Sequence, residues 1–223
     1  MRETLTLTAA DGHSLSAYRA APAQQPRGGL VIIQEIFGVN SHIKKLCDGF
    51  AADGYVALAP ALFDRVERGI MLGYGPEDID RGRSIRGKID MTDMVKDVHA
   101  AVRELADAGL TVGVVGYCMG GTVAWLAATR IDGVAAAVGY YGGGIAAAVD
   151  ERPRCPVLLH FGETDASIPP DHYQRVMAAH PTVPVHTYPA GHGFSCDERA
   201  SYHEPSATLA RTRTLDFLRQ HVG

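Results

Sequence analysis

Apolar residues run along this chain in two rhythms, and the switching between them predicts its elements. Thr4-Leu-Thr-Leu-Thr8 and His13-Ser-Leu-Ser-Ala-Tyr18 alternate polar and apolar in period two around Asp11-Gly12. That pattern predicts a hairpin forming an antiparallel edge. Leu30-Val-Ile-Ile-Gln34 is an unbroken apolar run, as expected of a strand covered on both faces, and it ends at Glu35. Asn40 or Ser41 can cap a helix running to about Asp53, and Pro60 stops the short strand Tyr55-Val-Ala-Leu-Ala59. Between Met91 and Ala108, apolar residues at Met91, Met94, Val95, Val98, Val102 and Leu105 mark one face of a helix. The run from Val112 predicts a central strand, followed by a helix from Thr122 to Arg130. Val134–Val138, Pro156–His160 and Val183–Tyr188 predict further strands with helices between them, and a last helix spans about Pro205 to His221. From Leu62 to about Lys88 the chain is rich in Gly and Arg without a clean period, which predicts an irregular cover overhanging the ligand site.

An antiparallel start followed by parallel strands alternating with helices predicts an α/β class protein. The expected architecture is a mostly parallel, doubly wound sheet with helices on both faces, in one domain over residues 1–223. In such sheets ligands bind at the carboxyl ends of the strands. Glu35, Cys118, Asp165 and His192 each follow a predicted strand end, so the architecture gathers them on one rim.

Composition narrows the chemistry. With 223 residues and 46% hydrophobic content the chain can bury a sizeable core. A formal charge of -4 gives no electrostatic basis for binding nucleic acid or an anionic membrane. No apolar run approaches the roughly 20 residues of a membrane span, and Met1-Arg-Glu-Thr-Leu-Thr-Leu7 lacks the apolar core of a signal peptide, so a cytoplasmic location is expected. Cys47, Cys118, Cys155 and Cys196 show neither CxxC nor Cys/His ligand spacing, which suggests neither a disulfide framework nor a zinc site. A reducing compartment keeps Cys118 usable.

The candidate chemistry centres on Gly116-Tyr-Cys-Met-Gly120. Cys118 occupies the place of Ser in a G-x-S-x-G strand-to-helix elbow, where side-chain-free neighbours let the chain close around a strained nucleophile. The N-terminus of the following helix favours thiolate over thiol. A buried, inert cysteine is the alternative, and the flanking glycines together with Gly121 weigh against it. Phe161-Gly-Glu-Thr-Asp165 offers two acids, Glu163 and Asp165, to orient a catalytic histidine. Asp165 is favoured because Ser167-Ile-Pro169 sets a turn that can aim it inward, although it could instead cap the helix starting near Pro170. In Pro189-Ala-Gly-His-Gly-Phe194 the imidazole of His192 stands between glycines in a loop, where it is free to be presented. The order Cys118, Asp165, His192 is the nucleophile, acid, histidine order of α/β-hydrolases. Backbone N–H groups of Met119 and Ile36 are the candidate oxyanion-hole donors.

Gln34-Glu-Ile-Phe-Gly-Val-Asn40, Gly113 to Gly121, Val138-Gly-Tyr-Tyr-Gly142, Phe161-Gly-x-x-Asp165, Ala190-Gly-His-x-Phe194 and Arg213-Thr-Leu-Asp-Phe-Leu218 together resemble the dienelactone hydrolases, or carboxymethylenebutenolidases. The resemblance spans nearly the whole chain and implies an α/β-hydrolase fold. It implies Cys118 as nucleophile, His192 as general acid and base, Asp165 as its partner, and Glu35 as a carboxylate that contacts the resting thiol and helps to ionise it. It also implies a small-molecule ester or lactone substrate. The hydrolytic scheme calls for no metal or organic cofactor, and a monomer or weak dimer is the expected working form. One position departs from the family pattern. The arginine expected four residues after the histidine, where it would hold a substrate carboxylate, is Cys196, and Arg199 is the nearest replacement. A second family arginine falls in the segment holding Arg81, Arg83 and Arg86, and is assigned to Arg81. The departure leaves two alternatives: a broad carboxylesterase or thioesterase that has lost the acidic-substrate clamp, and a non-catalytic binding or sensing protein with a reactive thiol. An intact acid and histidine argue against the second.

Overall fold

The structure is a computed structural model describing residues 1–223. Eight strands form one sheet: β1 (Arg2–Thr8), β2 (Ser14–Ala20), β3 (Gly29–Ile33), β4 (Val56–Pro60), β5 (Val112–Tyr117), β6 (Val134–Tyr140), β7 (Val157–Gly162) and β8 (Val185–Tyr188). Their spatial order is β1-β2-β4-β3-β5-β6-β7-β8. β2 runs antiparallel to both β1 and β4, and every pairing from β4 to β8 is parallel. The period-two hairpin is thus the antiparallel edge that its alternation predicts, and the unbroken apolar runs are the covered parallel strands. Every residue of β3, β4, β5 and β7 is buried.

Six helices cover the sheet: α1 (Ser41–Ala52), α2 (Pro76–Arg86), α3 (Met91–Asp107), α4 (Met119–Arg130), α5 (Pro170–Ala179) and α6 (Glu204–His221). Packing at β3 and β5 separates two layers. A side chain at Gly29 would meet Leu105 of α3, whereas one at Gly113, which pairs with Leu30, would meet Leu218 of α6 and Val222 just beyond it. Successive strand residues point to opposite faces, so α3 and α6 lie on opposite sides of the sheet. α1 joins α6 through Arg211, whose guanidinium stacks 3.6 Å from the centre of the Phe50 ring and donates to Asp53. α3 packs beside α4. No helix is long and apolar enough to cross a membrane.

Local chemistry sets the helix starts. Asn40 Oδ1 accepts from the Ile43 N–H at 3.3 Å to cap α1, and Asp90 Oδ1 accepts from Thr92 at 2.7 Å to cap α3. Two expectations need correction. The 62–88 segment is not irregular throughout: a 3-10 turn covers Leu62–Arg65 and α2 spans Pro76–Arg86. α2 escapes an apolar-period reading because only Gly82 and Ile85 are buried. Its signals lie at its ends, with Pro76 in the first turn, Glu77 and Asp78 beside it, and Arg83 and Arg86 in the last turn. The second correction concerns α4, which begins at Met119 rather than Thr122, so that Gly120 and Gly121 belong to the helix and not to the turn.

Candidate active site

The centre of the site is a steric solution. Cys118 joins β5 to α4 with φ 55° and ψ -118°, a backbone conformation that L-residues rarely adopt and that costs on the order of 1–3 kcal/mol. It persists because α4 is jammed against the sheet. A β-carbon on Gly116 would lie 1.8 Å from the Gly120 carbonyl oxygen, and one on Gly120 would lie 2.4 Å from that of Ile33. Glycine at both positions lets the first turn of α4 sit on the ends of β3 and β5. The Cys118 N–H is held by the Tyr140 carbonyl at 3.0 Å, which fixes the elbow to β6. The sulfur therefore stands at the N-terminus of α4, where the helix dipole favours negative charge.

His192 and Asp165 complete the line. His192 Nδ1 donates to Asp165 Oδ2 at 2.7 Å, and Asp165 Oδ1 accepts from the Ser167 N–H at 2.8 Å. The turn after Asp165 aims the carboxylate inward, as its sequence suggests, and Asp165 does not cap α5, whose N-cap is Pro169. Glu163, the other acid, accepts from Thr187 at the surface. Burial alone would pull the His192 imidazole down, but hydrogen bonds to Asp165 and Cys118, with the negative charges they carry, raise it to about 10. At neutral pH His192 is therefore a cation beside the Asp165 carboxylate and the Cys118 sulfur.

Cys118, His192, Ile36 and Met119 all line one cavity of about 400 Å³. Met119 is the first residue of α4, so its N–H has no intrahelical partner, and the residue lines the cavity. Ile36 sits under α2, where a side chain at Gly82 would come within 2.2 Å of the Ile36 carbonyl oxygen. The expectation that part of 62–88 overhangs the site is met by α2, which contributes Ile79, Arg83 and Arg86 to the cavity wall.

Glu35 lies just behind this wall, 1% exposed. Its carboxylate accepts from Arg199 Nη1 at 3.0 Å and from the Tyr74 hydroxyl at 3.2 Å, and no hydrogen bond joins it to Cys118. The carboxylate is thus engaged with Arg199 rather than with the resting thiol, the contact that the resemblance implies. Arg199 reaches this place by a chain of turns: Cys196 N–H to Gly193, Arg199 N–H to Cys196, and Tyr202 N–H to Arg199, each 3.0–3.1 Å. One turn after Cys196, the guanidinium comes in over the Phe37 and Tyr74 rings, and it lines the cavity. Arg81 is not brought to the site. It points to solvent and pairs with Glu67 at 2.7 Å, while Arg83 and Arg86 of the same helix take the cavity side.

Two tyrosines belong to the site although nothing in the sequence assigns them a role. Tyr74 holds Glu35. Tyr141 has a positive φ of 38°, places its ring 5.1 Å from that of His192 and shares a hydrogen bond of 2.8 Å with Ser195. Tyr141 stands in the Gly-Tyr-Tyr-Gly motif at the end of β6, which is the one sequence signal that could have marked it. Tyr74 lies in the aperiodic segment before α2 and carries no such signal.

The dienelactone hydrolase family profile matches residues 15–222. A carboxymethylenebutenolidase of Pseudomonas putida is 36% identical over 231 residues, covering 98% of this chain and 96% of that one. A carboxymethylenebutenolidase of Pseudomonas knackmussii matches with the same identity and coverage. Among solved structures, a candidate dienelactone hydrolase of Klebsiella pneumoniae superposes with a TM-score of 0.85 at 30% identity, covering 99% of this chain and 100% of that one. A dienelactone hydrolase-like promiscuous phosphotriesterase from metagenomic libraries, 20% identical, shares the fold with a TM-score of 0.79 over 100% of this chain and 99% of its own.

Two outcomes follow from the geometry. Gly116→Ala should lower the unfolding free energy by about 3 kcal/mol or more in urea titrations, because the obstructing atom is backbone and cannot turn aside. For His192, the folded value near 10 stands above the ordinary 6.5. Its contribution to stability is therefore complete below pH 6.5 and lost as pH rises towards 10. Asp165→Asn removes the largest upward influence, so the stability gap between wild type and this variant should narrow across that window, and the imidazole should lose its proton at lower pH by NMR.

Proposed function

The chain belongs to the dienelactone hydrolase family, and on that footing we propose that it opens enol lactones, and cleaves activated carboxylic esters, by attack of Cys118. The observation that carries this reading is the strained Cys118 at the N-terminus of α4, backed by the 2.7 Å His192–Asp165 pair. The Cys118 thiolate adds to the carbonyl carbon. Ile36 and Met119 N–H groups hold the oxygen of the tetrahedral intermediate, each contributing on the order of 3 kcal/mol. Collapse breaks the ring C–O bond, and the departing enolate takes the proton from His192 as the thioester forms. His192, now neutral, removes a proton from water, the resulting hydroxide equivalent attacks the thioester, and the thiolate leaves with the histidinium restored. Because a thiolate is itself readily expelled from the intermediate, the reaction favours substrates whose leaving group departs at least as well. An enol lactone meets that condition, since its leaving oxygen is an enolate.

The cavity carries an excess of positive charge from Arg83, Arg86 and Arg199, with the buried Glu35 as its counter-charge. This supports a substrate bearing a carboxylate. A carboxylate that takes Arg199 also releases Glu35, which is then free to accept the S–H proton of Cys118 and to return it once the thiolate has been expelled. Arg199, one turn beyond the Cys196 that holds the expected arginine position, favours this reading over a broad esterase without an acid clamp. No cofactor enters the scheme. All its groups come from one chain, which we take to work in the cytoplasm as a monomer or weak dimer.

Cys118→Ala should reduce kcat/KM on an enol lactone or activated aryl ester by a factor on the order of 10⁴ or more while circular dichroism stays native. Near-normal turnover would remove Cys118 as nucleophile. Arg86→Ala and Arg199→Ala should raise KM for an acidic lactone well beyond their effect on a neutral ester of matched reactivity. Equal effects on the two substrates would take the acid clamp out of the account.

A further inference from the structure

Behind the catalytic cavity, Glu35, His42 and Cys196 converge from three separate parts of the chain. One donor atom from each lies within 4.8 Å of the other two. All three side chains are buried, with relative exposures of 1%, 2% and 0%. His42 is the anomaly among them: neither ring nitrogen has a hydrogen-bond partner. A fully buried imidazole with both nitrogens unpaired forfeits interactions that buried polar groups almost always make, and such a group calls for an occupant. Burial pushes the His42 imidazole towards its neutral form, the form in which it ligates a metal.

We propose that Glu35, His42 and Cys196 form a binding site for a thiophilic divalent cation of the zinc kind, and that occupancy switches the enzyme off. One carboxylate, one imidazole and one thiolate make a donor set suited to zinc. Donor distances of about 2.0–2.3 Å require the three atoms to close by roughly an ångström, within reach of side-chain rotation. Cys196 ligates as thiolate, so its S–H proton passes to solvent as the S–metal bond forms. Asp197 stands 3.7 Å from His42 Nδ1, placed to orient a ligating ring as outer carboxylates do. A second cavity of about 440 Å³ between α1 and α6 reaches the His42 edge of the cluster, lined by His42 and Asp197 and by neither Cys118 nor His192. The regulatory consequence rests on the catalytic reading above: a Glu35 held by the metal can neither pair with Arg199 nor assist Cys118. The site itself stands on the geometry alone.

Cobalt is the probe, added to the whole chain carrying Cys118→Ala so that the catalytic thiol cannot serve as ligand. A thiolate-to-cobalt charge-transfer band should appear at one equivalent and be displaced by zinc. Adding Cys196→Ser should abolish it, and adding His42→Gln should weaken cobalt affinity by about a hundredfold, the upper end of what even outer-shell changes cause. In the wild-type chain, zinc should lower kcat/KM on an activated ester by about a hundredfold, the lower end of what a positioned acid–base group contributes, and a chelator should restore it. The Cys196→Ser chain should show the same rate with and without zinc. No band in the Cys118→Ala chain, or a band that survives Cys196→Ser or is indifferent to His42→Gln, overturns the site. Binding without inhibition overturns the switch. A wild-type chain that turns over no ester refutes the catalytic reading instead, and the cobalt spectrum still decides the site.

Discussion

The first turn of α4 sits so close to the ends of β3 and β5 that no β-carbon fits between them, and the rest of the site inherits its geometry from that contact. Because the helix cannot retreat, Cys118 is forced into a left-handed conformation that pushes its sulfur out of the core. The same contact puts Met119 at the helix start, where it lines the cavity together with Ile36 from the loop after β3. Cys118 and the start of α4 are thus placed by one packing event. His192 needs only to be delivered opposite, which Asp165 and the β8 loop accomplish.

Charge forms the second layer. His192 is a cation held between Asp165 and the sulfur, and Arg199 is a cation held by Glu35 and stacked over two aromatic rings. A buried carboxylate paired with one guanidinium is stable only while that partner stays, since a lone charge in such surroundings is strongly disfavoured. Displacing Arg199 therefore obliges Glu35 to take another partner. Any anion that competes for Arg199, or cation that competes for Glu35, changes its engagement without disturbing the elbow.

The sequence exposes what depends on local backbone rules and hides what depends on distant side chains. Glycines flanking Cys118, the turn after Asp165 and the glycines around His192 are each short-range steric requirements, and their order along the chain places them on one rim once a parallel sheet is inferred. α2 was hidden because it buries only one short stripe and speaks through its end charges. Arg81 and Arg86 differ by five positions on that helix, enough to turn one to solvent and the other to the cavity, and a segment without periodicity cannot say which. The Tyr74–Glu35 contact spans 39 residues and the Arg199–Glu35 contact 164, and the Glu35, His42, Cys196 convergence has no spacing that a ligand motif would catch.

The loops that build the site leave β3, β5, β7 and β8, so residues from Glu35 to Arg199 must meet before any of this chemistry exists. Contacts of such sequence separation form late, since loop closure must precede them. Cys118 in an emerging or partly folded chain has neither the N-terminus of α4 behind it nor His192 beside it. The His192–Asp165 and Arg199–Glu35 pairs exist only once the loops after β3, β7 and β8 have met.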